Sequence, residues 1–168
     1  ATVPGSVIEG DPRLPVTAVS YDSRECEPGC LFFCIRGFNS DGHDYMPEAI
    51  AKGSVAMAVD RDVPRPEGIT LVRCPDGRKA MALMSAAFFG RPADSLHLAG
   101  VTGTNGKTSV TYYIAETLRA AGEKVGLIGT VETRIGDAAY PSHRTTPESI
   151  DLQALFRRMK DEGCGAVA

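Results

Sequence analysis

Gly103-Thr104-Asn105-Gly106-Lys107-Thr108-Ser109 is the stretch that decides the fold. It follows an apolar run over residues 96–101, which predicts a buried strand, and it precedes a segment of helical period over residues 110–121. A strand, a glycine-bearing loop and a helix bring free backbone N–H groups and the positive end of the helix dipole to a phosphate. Lys107 adds a positive charge and Thr108 a hydroxyl for Mg²⁺. We therefore expect residues 103–109 to bind phosphate.

The stretch departs from the strict phosphate-loop pattern. That pattern places its first glycine at position 101, where this chain has Val101, and Gly100 lies one place too early. The dinucleotide fingerprint also fails, because Gly100, Gly103 and Gly106 are evenly spaced. The pattern alone therefore does not identify a kinase or a GTPase. The alternative is a strand-to-helix turn that needs glycine only for its backbone conformation.

Composition narrows the class of protein. The chain has 168 residues, a net charge of −3 and 43% hydrophobic residues, which is ordinary for one or two globular domains. No broad basic field points to nucleic acid, and no apolar run has the length of a membrane span. The first residues show no charged and then apolar export signal, so we expect a cytoplasmic protein without a membrane partner.

Cysteine and histidine do not predict a metal site. The five cysteines are an odd number without an export signal, so a disulfide framework is not expected. Cys26, Cys30 and Cys34 are evenly spaced, but no C-x-x-C pair is present and Pro28-Gly29 breaks any helix there. The three histidines are scattered and are expected to be structural or exposed.

Strands that alternate with helices predict an α/β fold. Strands are expected at residues 16–21, 31–35, 55–59, 69–72, 96–101 and 125–128. Helices are expected at 45–52, with Asp44 as N-cap, at 78–89, and from Thr146-Pro147-Glu148, with proline at the first helical position, to Gly163. A Gly-Asp turn at residues 136 and 137 predicts a hairpin or a loop excursion.

The domain border is expected near residue 93, which gives domains 1–93 and 94–168. The last residues read as the opening of a further strand of a mostly parallel sheet. The second domain would then be incomplete, and the chain is expected to be a fragment of a longer protein.

Three stretches together resemble the muramyl ligases, which build the peptide of the cell-wall precursor. Residues 102–108 resemble the ATP-binding signature of that family, which implies that residues 103–109 bind ATP and that Lys107 is the catalytic cation. Asp22-Ser23-Arg24, Pro28-Gly29, Leu31-Phe32, Gly37 and Asp41-Gly42-His43-Asp44 resemble its amino-terminal domain. Gly129-Thr130, Thr145-Thr146-Pro147-Glu148 and Asp151-Leu152-Gln153 are similar to the members that add the third amino acid.

The resemblance implies a small α/β domain that binds a UDP-substrate, followed by the first part of a phosphate-loop ATPase domain. Positions that match the family's UDP-substrate contacts are Tyr21, Ser23, Phe38, Asn39, Ser40, Arg144, Thr145 and Thr146. Arg144 stands where asparagine is frequent in the family. The resemblance further implies a monomeric, Mg²⁺-dependent enzyme. Its substrates would be ATP, a UDP-N-acetylmuramoyl dipeptide and a diamino acid, either meso-diaminopimelate or L-lysine.

Several alternatives remain at this stage. The residues around Ser23 are also typical of a capped turn with a surface Asp22–Arg24 pair, and Thr146 is also typical of a helix N-cap, a role that is compatible with a substrate contact. Other readings of the whole chain are a phosphate-loop switch or kinase, a non-catalytic nucleotide-binding module, and the related ligase that adds the D-alanyl-D-alanine dipeptide. As a fragment the chain is expected to have no ligase turnover and weak nucleotide affinity.

Overall fold

The computed structural model describes residues 3–37, 40–142 and 146–168. The chain divides into two compact units, Ala1–Phe88 and Phe89–Ala168. Both units combine helices with a five-stranded sheet. The predicted α/β class is confirmed.

The first unit is built on a mostly parallel sheet. Its elements are β1 (Val7–Glu9), β2 (Ala18–Ser20), β3 (Cys30–Phe33), α1 (Met46–Ala51), β4 (Ser54–Val59), β5 (Thr70–Arg73) and α2 (Gly77–Phe88). The strand order is β1-β5-β4-β3-β2. Strands β2 to β5 pair in parallel, and β1 pairs antiparallel with β5. Central strands β3 and β4 carry the most buried side chains, among them Phe32, Phe33 and Met57.

The second unit has a parallel centre and an antiparallel hairpin at one edge. Its elements are β6 (His97–Leu98), α3 (Lys107–Ala120), β7 (Val125–Ile128), β8 (Glu132–Ile135), β9 (Ala138–Pro141), α4 (Ser149–Asp161) and β10 (Ala166–Val167). The order is β6-β10-β7-β8-β9, so the last strand lies between two earlier ones. Leu127 and Met159 are fully buried in its core. The predicted parallel pairing and the hairpin turn at residues 136 and 137 are confirmed. The buried strand predicted over residues 96–101 is wrong in extent and burial, because β6 has only two residues and both are exposed.

Strand β1 was not predicted from the sequence. Three residues between proline and glycine give no usable period, and the strand forms only because Val7 pairs with Arg73 across the fold. Arg73 Nε donates to Glu9 Oε1 at 2.6 Å, which holds the same pair of strands together. This antiparallel edge therefore depends on contacts between distant parts of the chain.

The residues predicted to begin two helices are not their caps. Asp41, not Asp44, caps a 3₁₀ turn, Gly42–Tyr45, through the backbone N–H of His43, and α1 begins after it without a side-chain cap. Helix α4 begins at Ser149 with Glu148 as N-cap, so neither Thr146 nor Pro147 has its predicted place. A 3₁₀ turn precedes α1, whereas the residue before α4, Glu148, is extended. The predicted end of α4 at Gly163 is supported by its positive φ of 83°.

The apolar faces of α2 and α3 also differ from the periodic patterns. In α2 Met81 is buried, but Phe88 is 39% exposed. In α3 the segment is helical as expected, but Tyr113 is 72% exposed, and Thr111 and Ala115 lie inward instead. The inward face is made of small side chains because α3 packs closely on β7.

All five cysteines are free and buried. Burial raises the pKa of Cys34 to about 12, and the charges of Asp41 and Asp60 act in the same direction. In residues 3–37, 40–142 and 146–168, no helix combines the length and the apolar character that a membrane crossing requires.

Candidate functional site

The stretch of residues 103–109 lies on one exposed loop and the helix start that follows it. After β6 the chain leaves the sheet, residues 102–106 are exposed, and α3 begins at Lys107. Gly106 has a φ of 79° and Gly103 a φ of 150°, which L side chains rarely adopt. A Cβ at Gly106 would meet no atom within 4 Å, so the backbone faces open space there.

The helix start offers free donors. Val110 is the first helical residue whose N–H bonds within this turn, to Gly106 O at 2.9 Å. In the part of the chain that the structure describes, the N–H groups of Lys107, Thr108 and Ser109 have no acceptor. Three free N–H groups at a helix start fit a phosphate group. The exposed residues Thr104 and Asn105 lie on the same loop.

Lys107 lies across the loop. Its Nζ donates to Gly103 O at 2.6 Å, which joins the first residue of α3 to the start of the loop. The ammonium is therefore held near the free N–H groups. Thr108 is half-buried at the second helical position. Its hydroxyl can supply one oxygen to Mg²⁺, a cation that takes its other oxygens from phosphate and water.

Beside this loop lies a cleft of about 300 Å³ at the carboxyl ends of the parallel strands. Leu98, Ile128 and Phe156 contribute apolar walls, and Thr111 and Thr146 contribute hydroxyl-bearing side chains. Ligands of open α/β sheets bind at this end of the strands. The structure thus brings Thr146, a predicted substrate contact, to the same edge of the sheet as the phosphate loop.

A polar network that the sequence did not reveal joins α3 to β8. Tyr112 Oη donates to Glu132 Oε1 at 2.8 Å, and Arg134 Nη2 donates to the same oxygen at 2.5 Å. The hydrogen bond from Tyr112 and the charge of Arg134 lower the pKa of Glu132, although burial opposes them. The network holds the helix that starts at the phosphate loop. Its residues could not be found from spacing, because Tyr112 and Glu132 lie in different elements.

In the first unit, the turn after β2 is internally bonded. Asp22 caps the 3₁₀ turn Ser23–Glu25 through the N–H of Arg24, and its carboxylate pairs with the Arg24 guanidinium at 2.6 Å. Ser23 is buried, and its hydroxyl donates to Glu48 Oε2 at 2.7 Å. The capped-turn interpretation is therefore confirmed. A contact of Tyr21 or Ser23 with a UDP-substrate stays a prediction.

The loop after β3 is closed by its own backbone. Gly37 N donates to Ser40 O at 2.8 Å, and Gly42 N donates to Ile35 O at 2.9 Å. Ser40 is exposed on this loop. Four other predicted substrate contacts, Phe38, Asn39, Arg144 and Thr145, lie outside the described residues.

Two α/β units, the second with a strand–loop–helix unit of the phosphate-binding kind, define the class of protein. Residues 15–89 match the family described as "Mur ligase family, catalytic domain". Residues 101–168 match "Mur ligase middle domain". The chain belongs to the Mur ligase family.

Relatives of known name agree with this placement. The chain is 48% identical over 161 residues to the UDP-N-acetylmuramoyl-L-alanyl-D-glutamate--2,6-diaminopimelate ligase of Geobacillus thermodenitrificans, covering 96% of this chain and 32% of that protein. It is 47% identical over 155 residues to the enzyme of the same name from Alkaliphilus metalliredigens, covering 92% and 31%. The chain thus spans about a third of the length of these relatives.

Solved structures share the fold. A structure of UDP-N-acetylmuramoyl-L-alanyl-D-glutamate--2,6-diaminopimelate ligase superimposes with a TM-score of 0.77 at 24% identity, over 93% of this chain and 32% of that one. The MurF ligase from Thermotoga maritima in complex with ADP gives a TM-score of 0.61 at 20% identity, over 92% and 32%.

Proposed function

We propose that this chain is the amino-terminal third of an ATP-dependent ligase of peptidoglycan precursor synthesis. The enzyme joins a diamino acid to UDP-N-acetylmuramoyl-L-alanyl-D-glutamate in the cytoplasm and acts as a monomer. The observation that carries the proposal is 48% identity over 96% of the chain to a relative with this name. Since the relatives are named for 2,6-diaminopimelate, we favour that amino acid over L-lysine.

In this proposal the two units bind different parts of the substrates. Residues 1–93 form the domain that binds the uridine end of the substrate, through Tyr21, Ser23, Phe38, Asn39 and Ser40. Residues 94–168 begin the ATP-binding domain, and Arg144, Thr145 and Thr146 contact the muramoyl-peptide portion. The exposed position of Ser40 and the cleft that includes Thr146 support these roles.

The chemistry follows from the poor reactivity of a carboxylate. The γ-carboxylate of D-glutamate takes the γ-phosphoryl group of ATP and releases ADP, which gives an acyl phosphate. The amine of the diamino acid then attacks the acyl carbon, forms the amide bond and releases phosphate and a proton. Bringing two anions together is unfavourable, so positive charge must offset their repulsion. Lys107 and the free N–H groups at the start of α3 supply it from this chain. Mg²⁺, held in part by Thr108, adds further charge when bound.

The test is an assay of the full-length protein with ATP, the UDP-muramoyl dipeptide and either meso-diaminopimelate or L-lysine. We expect ATP-dependent tripeptide formation with diaminopimelate and much less with L-lysine. Tripeptide formation with L-lysine alone would reverse the amino-acid assignment. ATP-dependent addition of D-alanyl-D-alanine to a tripeptide precursor would favour the related ligase, and no turnover with any acceptor would favour a nucleotide-binding module.

A further inference from the structure

His43 is a fully buried histidine held between two carboxylates. Its Nδ1 lies 2.6 Å from Asp41 Oδ1, which is a short hydrogen bond. Its Nε2 lies 3.6 Å from Asp60 Oδ1, which is too far for a hydrogen bond. Nε2 has no hydrogen-bond partner among the described residues. A buried polar ring that lacks a hydrogen bond is unfavourable, so we expect this histidine to have a specific role.

Asp60, on one side of the imidazole, is held in place by the start of α2. It follows β4 directly, and its Oδ2 accepts a hydrogen bond from Gly77 N, the first residue of α2, at 3.2 Å. A Cβ at Gly77 would lie only 2.9 Å from that same oxygen, so the helix start and Asp60 are closely packed. The imidazole therefore lies against Asp60, which the end of central strand β4 and the start of α2 hold in place.

Asp41, on the other side of the imidazole, lies at the end of the loop after β3. It pairs with Arg36 across the base of the loop, and Arg61 Nη1 donates to its Oδ2 at 2.9 Å. Burial of Asp41 opposes its ionisation, but hydrogen bonds from the backbone and ring of His43 and the charge of Arg61 outweigh this and lower the pKa of Asp41. The Asp41 carboxylate is thus held by His43 and by Arg61. These contacts also hold the end of the loop.

We propose that His43 is a positioning residue that fixes Asp41, the residue after Ser40, against the end of β4 and so sets the affinity for the uridine end of the substrate. This rests on the proposed function, in which Ser40 contacts uridine. Because the His43 side chain has no exposed surface, it acts through Asp41 rather than by touching the ligand. Loss of the hydrogen bond between His43 and Asp41 should weaken uridine binding and leave the phosphate loop of the other unit unchanged.

The experiment compares two substitutions in the full-length protein, with UDP as the probe. His43→Asn keeps an N–H close to the position of Nδ1, whereas His43→Gln moves the amide toward Nε2 and loses the bond to Asp41. We expect the Kd for UDP to rise about tenfold in His43→Gln and to stay within about threefold of wild type in His43→Asn, the scale of one charge-assisted hydrogen bond. The KM for ATP and kcat should not change in either variant. His97→Gln, at an exposed position in β6, is the matched control.

The outcomes separate this inference from the proposed function. Wild-type protein that does not bind UDP would contradict the uridine-binding role of the first unit. Wild-type binding with an unchanged Kd in folded His43→Gln would overturn the positioning role alone. A parallel change in kcat, the KM for ATP and the Kd for UDP would also overturn it, since His43 would then only stabilise the fold. If His43→Gln does not fold, Arg61→Gln at the surface should raise the Kd for UDP about threefold, and no change would overturn the role.

Discussion

The loop after β3 and the loop after β6 both follow a parallel strand, but different forces hold them. The first is closed by backbone hydrogen bonds and by Gly42, whose absent Cβ would lie 2.6 Å from Ile35 N. The second is exposed, with Gly106 in open space and Lys107 as the contact across it. A tightly packed loop can hold a ligand in a preformed shape, whereas an open loop with free N–H groups can close around phosphate.

The largest effect is expected at the open loop. In the full-length enzyme, Lys107→Ala should lower kcat by about 10²-fold or more, because one preorganised charge beside the transferring phosphoryl group is lost. The Kd for UDP should stay unchanged, because the proposed uridine contacts of the first loop are intact. Steady-state kinetics and UDP titration measure both. Lys79→Ala, at an exposed position in α2, is the control, and wild-type kinetics in Lys107→Ala would remove Lys107 from its role.

Glycine substitutions test the packing difference directly. Gly42→Ala should lower the free energy of unfolding by about 2–3 kcal/mol, because the new Cβ collides with the backbone of Ile35. Gly106→Ala has room but retains a positive φ, and should cost about 1–2 kcal/mol. Urea unfolding measures both. Gly100→Ala, in open space without a positive φ, should be close to neutral, and equal losses at Gly42 and Gly106 would contradict the comparison.

The Asp41 carboxylate should make the free energy of unfolding depend on pH. The pKa of Asp41 is lower in the folded chain than its usual value, so its contribution is present above about pH 3.9 and is lost as pH falls through the folded-state value. Asp41→Asn should therefore reduce the free energy of unfolding by about 1–2 kcal/mol at pH 6, and this difference should shrink below about pH 4. Unfolding curves across pH 3 to 6 measure it. Asp137→Asn, in an exposed turn, should show no such trend.

The smallest effects are expected at the turn after β2. Asp22→Ala removes a helix cap and should cost about 1 kcal/mol. Arg24→Ala removes only an ion pair whose arginine is 79% exposed, and should cost less than about 0.5 kcal/mol. Thermal unfolding of the two variants distinguishes cap from ion pair. A larger loss in Arg24→Ala than in Asp22→Ala would mean that the surface pair, not the cap, holds this turn.

Local signals predicted much of the fold. The apolar runs at β3, β4 and β7 and the Gly-Asp turn between β8 and β9 are contained within a few neighbouring residues. Helix starts were less accurate at α1 and α4, because proline and acidic residues also occur in the turns that precede a helix. The inward face of α3 was misjudged, since close packing on β7 favours the small residues Thr111 and Ala115 over larger ones.

The residues of the candidate site were also predicted partly from the sequence and found partly only in the structure. The sequence by itself determined residues 103–109, because a glycine loop, a lysine and a helix start are adjacent in the chain. Only the tertiary structure showed that Ser23 bonds to Glu48, that Tyr112 bonds to Glu132, and that His43 lies between Asp41 and Asp60. The reason is that these pairs are joined by strand register and helix packing, and the contacts of a side chain with distant residues exist only once the sheets have formed.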